Sequence, residues 1–306
     1  MGEFRLLMVS AMYENGGNVT HRLLDGHPEL FVYPFESQLG TRLVQDHLSS
    51  LYPVKYRWPV FATDNTLEAD YRSIIDEECK VRARTPHVSK FRDMPFDFSD
   101  DERLDLFSAR LEGARRTRPA LVEAFFSSTF EAWRDRAGTG RERVYAGYSP
   151  IVAVDAGLIL QELPAAHVLH LVRNPFSAYA DTRKRPVPLS IQHYMTGWVT
   201  AQHHALVYRE LYPDRMTILR YEDVIADPVK ALSEVCRAIG VSEDASLGVP
   251  SWNGEPLAQV YPWGTIRRAT PEVNLATARE LGAAERELIR TWTRALLPTF
   301  AYEDLI

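Results

Sequence analysis

The chain has 306 residues, of which 45% are hydrophobic, and its 41 acidic and 35 basic side chains give a formal net charge of −6. This is the profile of an ordinary globular protein. Its mild acidity argues against a surface built for nucleic acid, so any positive charge that binds an anion must be local. The two cysteines, Cys79 and Cys236, lie far apart and outside any CxxC spacing, which excludes a disulfide scaffold and a cysteine-based zinc site.

The N-terminal segment has the pattern of a strand-helix-strand unit. Phe4 to Ser10 is a short apolar run that leads into a loop with two glycines, residues 13–18, which we call the glycine loop. Val19 to Leu24 is typical of a helix that ends near Gly26, and Leu30 to Tyr33 predicts a second strand. Together they have the size of a βαβ unit.

The next region differs in composition. Residues 63–135 carry many charges, few β-branched runs and helical spacing, with acidic residues at 100–102 before an apolar stripe. The stretch from Gly138 to Arg143 predicts a return loop. We therefore expect a single domain over residues 1–306, with a helical insertion or lid within it at about 63–140.

The C-terminal half predicts two further strands and a long helix between them. The strands are His167 to Val172 and Met216 to Arg220, and the amphipathic helix is Ile191 to Tyr212. Strands that alternate with helices favour an α/β fold with a mainly parallel sheet covered on both faces, in which ligands bind at the carboxyl ends of the strands. That rule indicates three places: Ser10 to Asn18, Arg173 to Asp181, and Tyr221 to Asp223.

Two of these places have the chemistry of an anion site. Asn15, Gly16, Gly17 and Asn18 stand between a strand and a helix, where backbone N–H groups cradle phosphate or sulfate oxygens. The same residues could simply form a tight turn, and they lack the Lys-Ser or Lys-Thr of a Walker A loop.

Arg173 follows a predicted central strand, and its fork of donors suits a phosphate. Ser177 and Asp181 are four residues apart, so they share one face of the helix expected to begin at Pro175. An ion pair of Arg173 with Glu222 or Asp223 is the structural alternative.

Together these residues resemble the sulfotransferase family that uses 3′-phosphoadenosine 5′-phosphosulfate (PAPS), particularly its bacterial branch. Four segments carry the resemblance: MVSAMYENGGNVTHRLLDGHPELFVYPFES at 8–37, HVLHLVRNPFSAYADTRKRP at 167–186, ILRYEDVIADPVKALSEVCRAIGV at 218–241, and the closing stretch at 263–297. The resemblance implies a P-loop-like three-layer fold. It also implies that the glycine loop holds the 5′-phosphosulfate of the co-substrate.

The resemblance assigns the 3′-phosphate to Arg173, to the helix of Ser177 and Asp181, and to a closing loop with Arg267 and Arg268. Two positions depart from the family pattern. Glu14 stands near a position that is usually basic, and Asp181 stands where a serine is expected. The nearby basic run 183–185 could offset these carboxylates.

Catalysis of sulfuryl transfer needs a base for the acceptor proton and cations for the spreading charge. Glu36 lies near the position where tyrosine-sulfating relatives keep a catalytic glutamate, and a structural pair with Arg22 is its alternative. His27 is a second candidate base, although a His-Pro pair after a helix is more often a packing residue. No His/Glu spacing indicates a metal site, and the transfer itself needs no metal.

Two hypotheses on function remain open. The first is an enzyme that moves a sulfuryl group from PAPS to a hydroxyl or amine of a small molecule or glycan, with an aromatic or glycosylated acceptor compatible with the many aromatic residues. The second is a protein of the same fold that has lost or changed its donor and serves as a binding protein or uses another anionic nucleotide. No stretch approaches about 18 apolar residues, and the first residues lack a signal-peptide pattern, so we expect a cytoplasmic protein without a membrane span.

Overall fold

The computed structural model describes residues 3–62, 64–258 and 269–305. Its main sheet has five parallel strands in the order β2-β3-β1-β4-β5. The strands are β1 Leu6–Ala11, β2 Leu30–Val32, β3 Val144–Tyr148, β4 Ala166–Val172 and β5 Met216–Arg220. A short antiparallel pair, β6 Ser251–Trp252 and β7 Glu255–Pro256, lies apart from it. The predicted α/β fold with a parallel sheet is confirmed.

Twelve α-helices occur in the described residues. They are α1 Gly17–Asp25, α2 Leu67–Ser73, α3 Glu77–Arg84, α4 Asp100–Leu111, α5 Arg118–Ala132, α6 Ala156–Glu162, α7 Pro175–Thr182, α8 Ile191–Leu211, α9 Tyr221–Ala226, α10 Pro228–Ala238, α11 Pro271–Arg279 and α12 Ala283–Thr293. Within the same residues, no helix combines the length and the apolar character that crossing a membrane requires.

The two faces of the sheet bury different side chains of β1. Leu7 and Val9 pack in one apolar cluster with residues of α1 and α10, whereas Leu6 and Met8 pack in another with residues of α5 and α6. This alternation follows from the twofold side-chain period of a strand, and it produces three layers. The central strand is therefore covered by helices on both sides.

Within residues 64–140 the chain forms helices α2 to α5 and the loops between them. A buried charge network holds them together: the guanidinium of Arg103 lies 2.8 Å from carboxylate oxygens of both Asp76 and Asp100. The hydroxyl of Tyr33, just after β2, donates to Asp76 over 2.6 Å. A buried ion pair that loses one partner is strongly destabilised, so these contacts fix α3 and α4 against the end of β2.

Some predicted boundaries differ from the structure. Helix α1 begins at Gly17, earlier than the expected Val19. Helix α7 begins at Pro175 as expected but ends at Thr182, whereas the sequence pattern of Phe176 to Arg185 predicts three more helical residues. The sequence analysis missed β3 completely. The reason is that Val144–Tyr148 is short, contains a glycine and follows a polar loop, so its apolar alternation is weak.

Candidate functional site

The glycine loop and Arg173 meet at one edge of the sheet, as the strand-end rule predicts. Strands β1 and β4 are neighbours, with Ala11 paired to Leu171, so both chains leave the sheet side by side. The Arg173 guanidinium donates from Nη1 to the carbonyl oxygen of Glu14 over 2.8 Å. Two of the three predicted places therefore form one site.

Asn15 organises this contact rather than facing outward. Its buried side chain accepts from the backbone N–H of Arg173 over 2.9 Å and from the indole N–H of Trp198 over 3.2 Å. Its amide donates to the carbonyl of Tyr13 over 2.9 Å and to the Tyr194 hydroxyl over 3.0 Å. Because the protein uses both ends of the amide, the Asn15 side chain positions the loop, and we no longer expect it to touch a ligand.

Neighbouring tyrosine rings leave no room for a side chain at either glycine of the loop. Gly16 has φ 90°, and a Cβ there would lie 2.1 Å from a ring carbon of Tyr221. A Cβ on Gly17 would lie 2.3 Å from the ring of Tyr148. Helix α1 begins here with no side-chain cap and no acidic residue in its first turn, and half-buried Asn18 follows Gly17. Its first N–H groups are therefore available to an anion.

Arg173 is paired with Asp181, and not with Glu222 or Asp223 as the sequence-based alternative proposed. Arg173 Nη1 lies 2.9 Å from Asp181 Oδ2, and Lys184 Nζ lies 3.1 Å from Asp181 Oδ1. The Nε–H of Arg173 donates to Asn274 Oδ1 over 2.6 Å. The Asp181 carboxylate raises the pKa of Arg173 against the opposing effect of burial. Arg173, Asp181 and Asn274 are buried, so the charges of Arg173 and Asp181 interact strongly, whereas Lys184 is exposed.

Glu222 accepts hydrogen bonds from three neighbouring side chains, a structural role that was not predicted from the sequence. Its Oε1 accepts from the side-chain amides of Asn174 and Asn274 over 2.7 Å and 3.0 Å, and its Oε2 accepts from the Tyr302 hydroxyl over 2.6 Å. Ser177, predicted as a ligand-binding hydroxyl, donates to the backbone carbonyl of Asn274 over 2.7 Å. These bonds fasten α11 to the ends of β4 and β5.

Glu36 lies at the end of β2 beside a second carboxylate, Glu78, which comes from α3 of the insertion. The backbone N–H of Glu36 donates to Glu78 Oε2 over 3.1 Å. The amide of Gln38 bridges them, since its Nε2 donates to Glu36 Oε2 over 3.5 Å and its Oε1 accepts from the Glu78 N–H over 3.2 Å. Burial and the Glu36 carboxylate raise the pKa of Glu78 to about 7, against an ion pair with Lys90.

Aromatic side chains connect this carboxylate pair to the glycine loop. Burial and then the Glu36 carboxylate raise the pKa of Tyr56, which hydrogen-bonds to Glu36. The Tyr56 ring lies 6.1 Å from that of Tyr13, and the Arg185 guanidinium lies 4.8 Å from the Tyr13 ring centre. Burial raises the pKa of half-buried Glu14, and the nearby Arg185 opposes this. Glu36, Glu78, Arg185 and the loop thus share one electrostatic environment.

The structure removes His27 from the candidate bases. The residue follows the opposite end of α1, about 13 Å along the helix from Gly17. Its Nδ1 accepts from the Glu29 N–H over 3.1 Å, and its Nε2 lies 2.8 Å from the carbonyl oxygen of Ser242. Both ring nitrogens are therefore occupied in a packing role.

The remaining predicted residues divide into two groups. Arg267 and Arg268 lie outside the described residues. Of the six aromatic residues that could edge an acceptor pocket, Tyr33, Phe35, Trp198 and Trp252 are buried in the core, and Tyr261 and Trp263 lie outside the described residues. Over the described ranges, no group of three or more His, Cys, Asp or Glu side chains has a geometry suited to a metal ion.

Comparisons with known proteins agree with one another. The model of a family described as the sulfotransferase family matches residues 16–245. The chain is similar to the sulfotransferase domain of the Synechococcus PCC 7002 olefin synthase, with 18% identity, a TM-score of 0.51, and coverage of 99% of this chain and 97% of that one. That likeness supports the fold. No curated protein sequence matches the chain.

Two other solved structures are more distant. The sulfotransferase domain from the curacin biosynthetic pathway has 15% identity and a TM-score of 0.45, with 99% of each chain covered. A sulfotransferase from Mycobacterium avium has 14% identity and a TM-score of 0.47, with 99% of this chain and 78% of that chain covered.

Proposed function

The chain belongs to the sulfotransferase family, and we propose that it moves a sulfuryl group from an adenylyl phosphosulfate donor to a hydroxyl or amine of a small molecule or glycan. The family's usual donor of this class is PAPS. One observation carries the proposal: an uncapped helix start at the glycine loop lies near a half-buried carboxylate pair, Glu36 and Glu78, and Glu36 acts electrostatically on Glu14 of the loop. The helix start is suited to bind the anion of the donor, and the carboxylate pair is suited to take the proton that leaves the acceptor.

The 5′-phosphosulfate fits the residues at the start of α1. The N–H groups of Gly17 and Asn18 stand at the positive end of the helix dipole, where they favour an anion. Arg185 forms no ion pair with any described residue and lies against Tyr13 of the loop. Its guanidinium is thus the cation best placed to take charge from the donor. Burial raises the pKa of Glu14, so its carboxyl group holds a proton more readily than an exposed glutamate would. Glu14 therefore repels the donor anion less than an exposed glutamate would.

The carboxylate pair serves as the general base. When the acceptor oxygen attacks sulfur, an S–O bond forms to the acceptor, the S–O bond to the donor phosphate breaks, and the acceptor proton must leave. Burial and the nearby Glu36 carboxylate raise the pKa of Glu78, so the Glu78 carboxyl group holds a proton more tightly than an isolated glutamate would. A pKa near neutrality is suited to proton transfer at neutral pH.

Two cations stand near the charge that spreads during transfer. Lys90 is paired with Glu78, and Arg185 lowers the pKa of Glu14. Fixed charges in a partly buried site stabilise a spreading negative charge without reorganising. We propose that Arg185 faces the departing phosphate and that Lys90 keeps the carboxylate pair close to neutral.

The 3′-phosphate of PAPS does not fit the described residues. The guanidinium that would hold it, that of Arg173, is already engaged by Asp181, by Asn274 and by the carbonyl of Glu14. A phosphate added there would face the Asp181 carboxylate, a repulsion of about 4 kcal/mol for unit charges 4 Å apart at an effective dielectric constant of 20. We therefore derive no step through the 3′-phosphate.

We further propose that the acceptor enters beside Tyr13. A cavity of about 320 Å³ lies there between the segment 49–53 and α8, with Tyr13, Tyr52, Leu189 and His193 in its wall. Its size and mixed apolar and hydroxyl lining are typical of a small-molecule site. The insertion supplies Glu78 from a helix held by a buried ion pair, so we propose that it forms a fixed wall of the site.

The experiment that tests the function is a transfer assay with a phosphosulfate donor and a panel of phenol, alcohol and amine acceptors, read by mass spectrometry. The wild-type chain should sulfate at least one acceptor class, and Glu36→Gln and Glu78→Gln should not. Glu77→Gln is the matched control, because Glu77 precedes Glu78 on α3 but its exposed side chain pairs with Lys55. Equal turnover in all four proteins would remove the carboxylate pair from the mechanism.

A further inference from the structure

We propose that the donor of this protein carries a free ribose 3′-hydroxyl, as adenosine 5′-phosphosulfate does, and that Asp181 selects it by excluding a 3′-phosphate. The inference rests on the proposed function, since it concerns the donor of the same site. It arises from the geometry around Arg173 and from the residue at position 181.

The first step is that Nε and Nη1 of Arg173 are engaged by other groups of the protein. Its Nη1 contacts both the Glu14 carbonyl, at 2.8 Å, and Asp181 Oδ2, at 2.9 Å. Its Nε–H donates to Asn274 Oδ1 over 2.6 Å. Arg173 and Asp181 are 2% and 6% exposed, respectively, so water does not screen their pairing. A phosphate that approached Arg173 would therefore lie beside a buried carboxylate that is covalently part of the chain.

The second step concerns the neighbouring cations, which are also paired. Lys184 lies 3.1 Å from Asp181 Oδ1 and 3.0 Å from Glu280 Oε2. Arg183 Nη1 lies 3.1 Å from Glu285 Oε1. Arg173, Arg183 and Lys184 thus face three carboxylates, and of the described cations in this part of the structure only Arg185, which lies against Tyr13 of the glycine loop, has no ion pair. With a serine at position 181, these three cations would face only two carboxylates, and one positive charge would remain without a partner.

The third step is the chemistry that a carboxylate offers in this place. An ionised carboxylate has about four acceptor positions, and the described contacts of Asp181 use one on each oxygen. It is therefore able to accept a hydrogen bond from a sugar hydroxyl. Dinucleotide-binding sites use the same distinction, since an acidic residue takes the ribose hydroxyl and an arginine accommodates a phosphate at that position. Here Asp181 neutralises the arginine and offers the acceptor.

The consequence for the reaction is limited to the donor's sugar. The S–O bond to the 5′-phosphate still breaks and a new S–O bond to the acceptor still forms, and the acceptor proton still goes to the carboxylate pair. The nucleotide product is adenosine 5′-phosphate (AMP) instead of adenosine 3′,5′-bisphosphate. These two products are stable, so they serve as binding probes.

The test is titration calorimetry of the full chain with each of the two nucleotides. The wild type should bind AMP at least about tenfold more tightly than the bisphosphate. Asp181→Ser should reverse this order, because Arg173 and Lys184 then face the 3′ position without the carboxylate. Asp214→Ser is the matched control, since it removes one exposed carboxylate from the turn before β5, at the other edge of the sheet. It should keep the wild-type order.

Each outcome decides a different point. If the wild type binds the bisphosphate as tightly as AMP, the inference is wrong and the proposed function stands. If the wild type binds neither nucleotide, the proposed function fails and the inference fails with it. If Asp181→Ser does not fold, Asp181→Asn keeps the side-chain shape without the charge. It should reduce the difference between the affinities for AMP and for the bisphosphate. The wild-type comparison decides the matter without any variant.

Discussion

Arg173 and Asp181 lie 2.9 Å apart at the carboxyl end of β4 and are buried together, one on the strand end and the other on the helix that follows. The pair connects the two phosphate regions that the sequence indicated. The same guanidinium that meets Asp181 also holds the carbonyl of Glu14 in the glycine loop. A substitution at position 181 is therefore expected to alter the contact between Arg173 and the glycine loop.

The first prediction concerns the close contact of Gly16 with Tyr221. Gly16→Ala should lower the free energy of unfolding by roughly 3 kcal/mol, since the new methyl group meets a ring and the backbone has φ 90°. Gly113 also has a positive φ, 72°, but a Cβ there meets nothing within 4 Å. Gly113→Ala should thus lose only about 1 kcal/mol. Urea unfolding of both variants measures the difference, and equal losses would contradict the packing argument.

The second prediction concerns the pH dependence of turnover. Because the pKa of Glu78 is raised to about 7, the base loses its proton as the pH rises through neutrality. The rate should therefore increase with pH up to about 7 and then level off. Glu78→Gln should lower kcat by about 10²-fold or more and remove this limb of the profile. A pH profile of Glu78→Gln that matches the profile of Glu77→Gln would exclude Glu78 as the base.

The third prediction concerns the pH dependence of stability, which falls over the pH range in which turnover rises. The folded-state pKa of Glu78 is raised from 4.5 to about 7, so the folded chain prefers the protonated carboxyl. Its contribution to stability is fully present below pH 4.5 and is lost as the pH rises through about 7. Glu78→Gln removes this loss and should be more stable than the wild type at pH 8 by about 2 kcal/mol, but not at pH 4. Unfolding curves at the two pH values that show the same difference would contradict the shift.

The fourth prediction concerns Asn15. Asn15→Ala leaves the buried backbone N–H of Arg173 without its acceptor, and the indole N–H of Trp198 keeps only the Arg173 carbonyl. The loss should be roughly 3 kcal/mol in the free energy of unfolding, since each unsatisfied buried group costs about 1–3 kcal/mol. Asn18→Ala, at a half-buried position in the same segment, is the control and should change stability by less than about 0.5 kcal/mol.

The fifth prediction tests the exclusion of His27. His27→Gln should reduce stability by about 1 kcal/mol, because the contacts with Glu29 and Ser242 are weakened. It should leave kcat unchanged at a temperature where the variant is folded. A kcat that falls together with a shift of the pH profile would return His27 to the list of bases.

Strands β1, β4 and β5 were predictable because their signal is local. β4 and β5 differ from their predicted bounds by at most one residue, and β1 by no more than two. An uninterrupted apolar run between turn residues is enough to identify a buried strand. β3 lacked that run, and only its pairing with β1 and β2 reveals it.

The partners in the site were not predictable in the same way. For Arg173 the structural alternative to a phosphate was an ion pair with Glu222 or Asp223, just after β5, whereas Asp181, eight residues along the chain, reaches it from α7. Glu78 lies 42 positions from Glu36, on a helix with no distinctive motif. Contacts of this kind depend on how helices dock, which no local pattern encodes.

The most direct test of the account is the affinity of the wild-type chain and of Gly16→Ala for AMP, measured by titration calorimetry beside the Gly113→Ala control. The account predicts saturable binding of AMP to the wild type and to Gly113→Ala, and its loss in Gly16→Ala. Absence of binding to the wild type at millimolar AMP, or unchanged binding to a folded Gly16→Ala, would contradict the claim that the glycine loop holds an adenylyl donor.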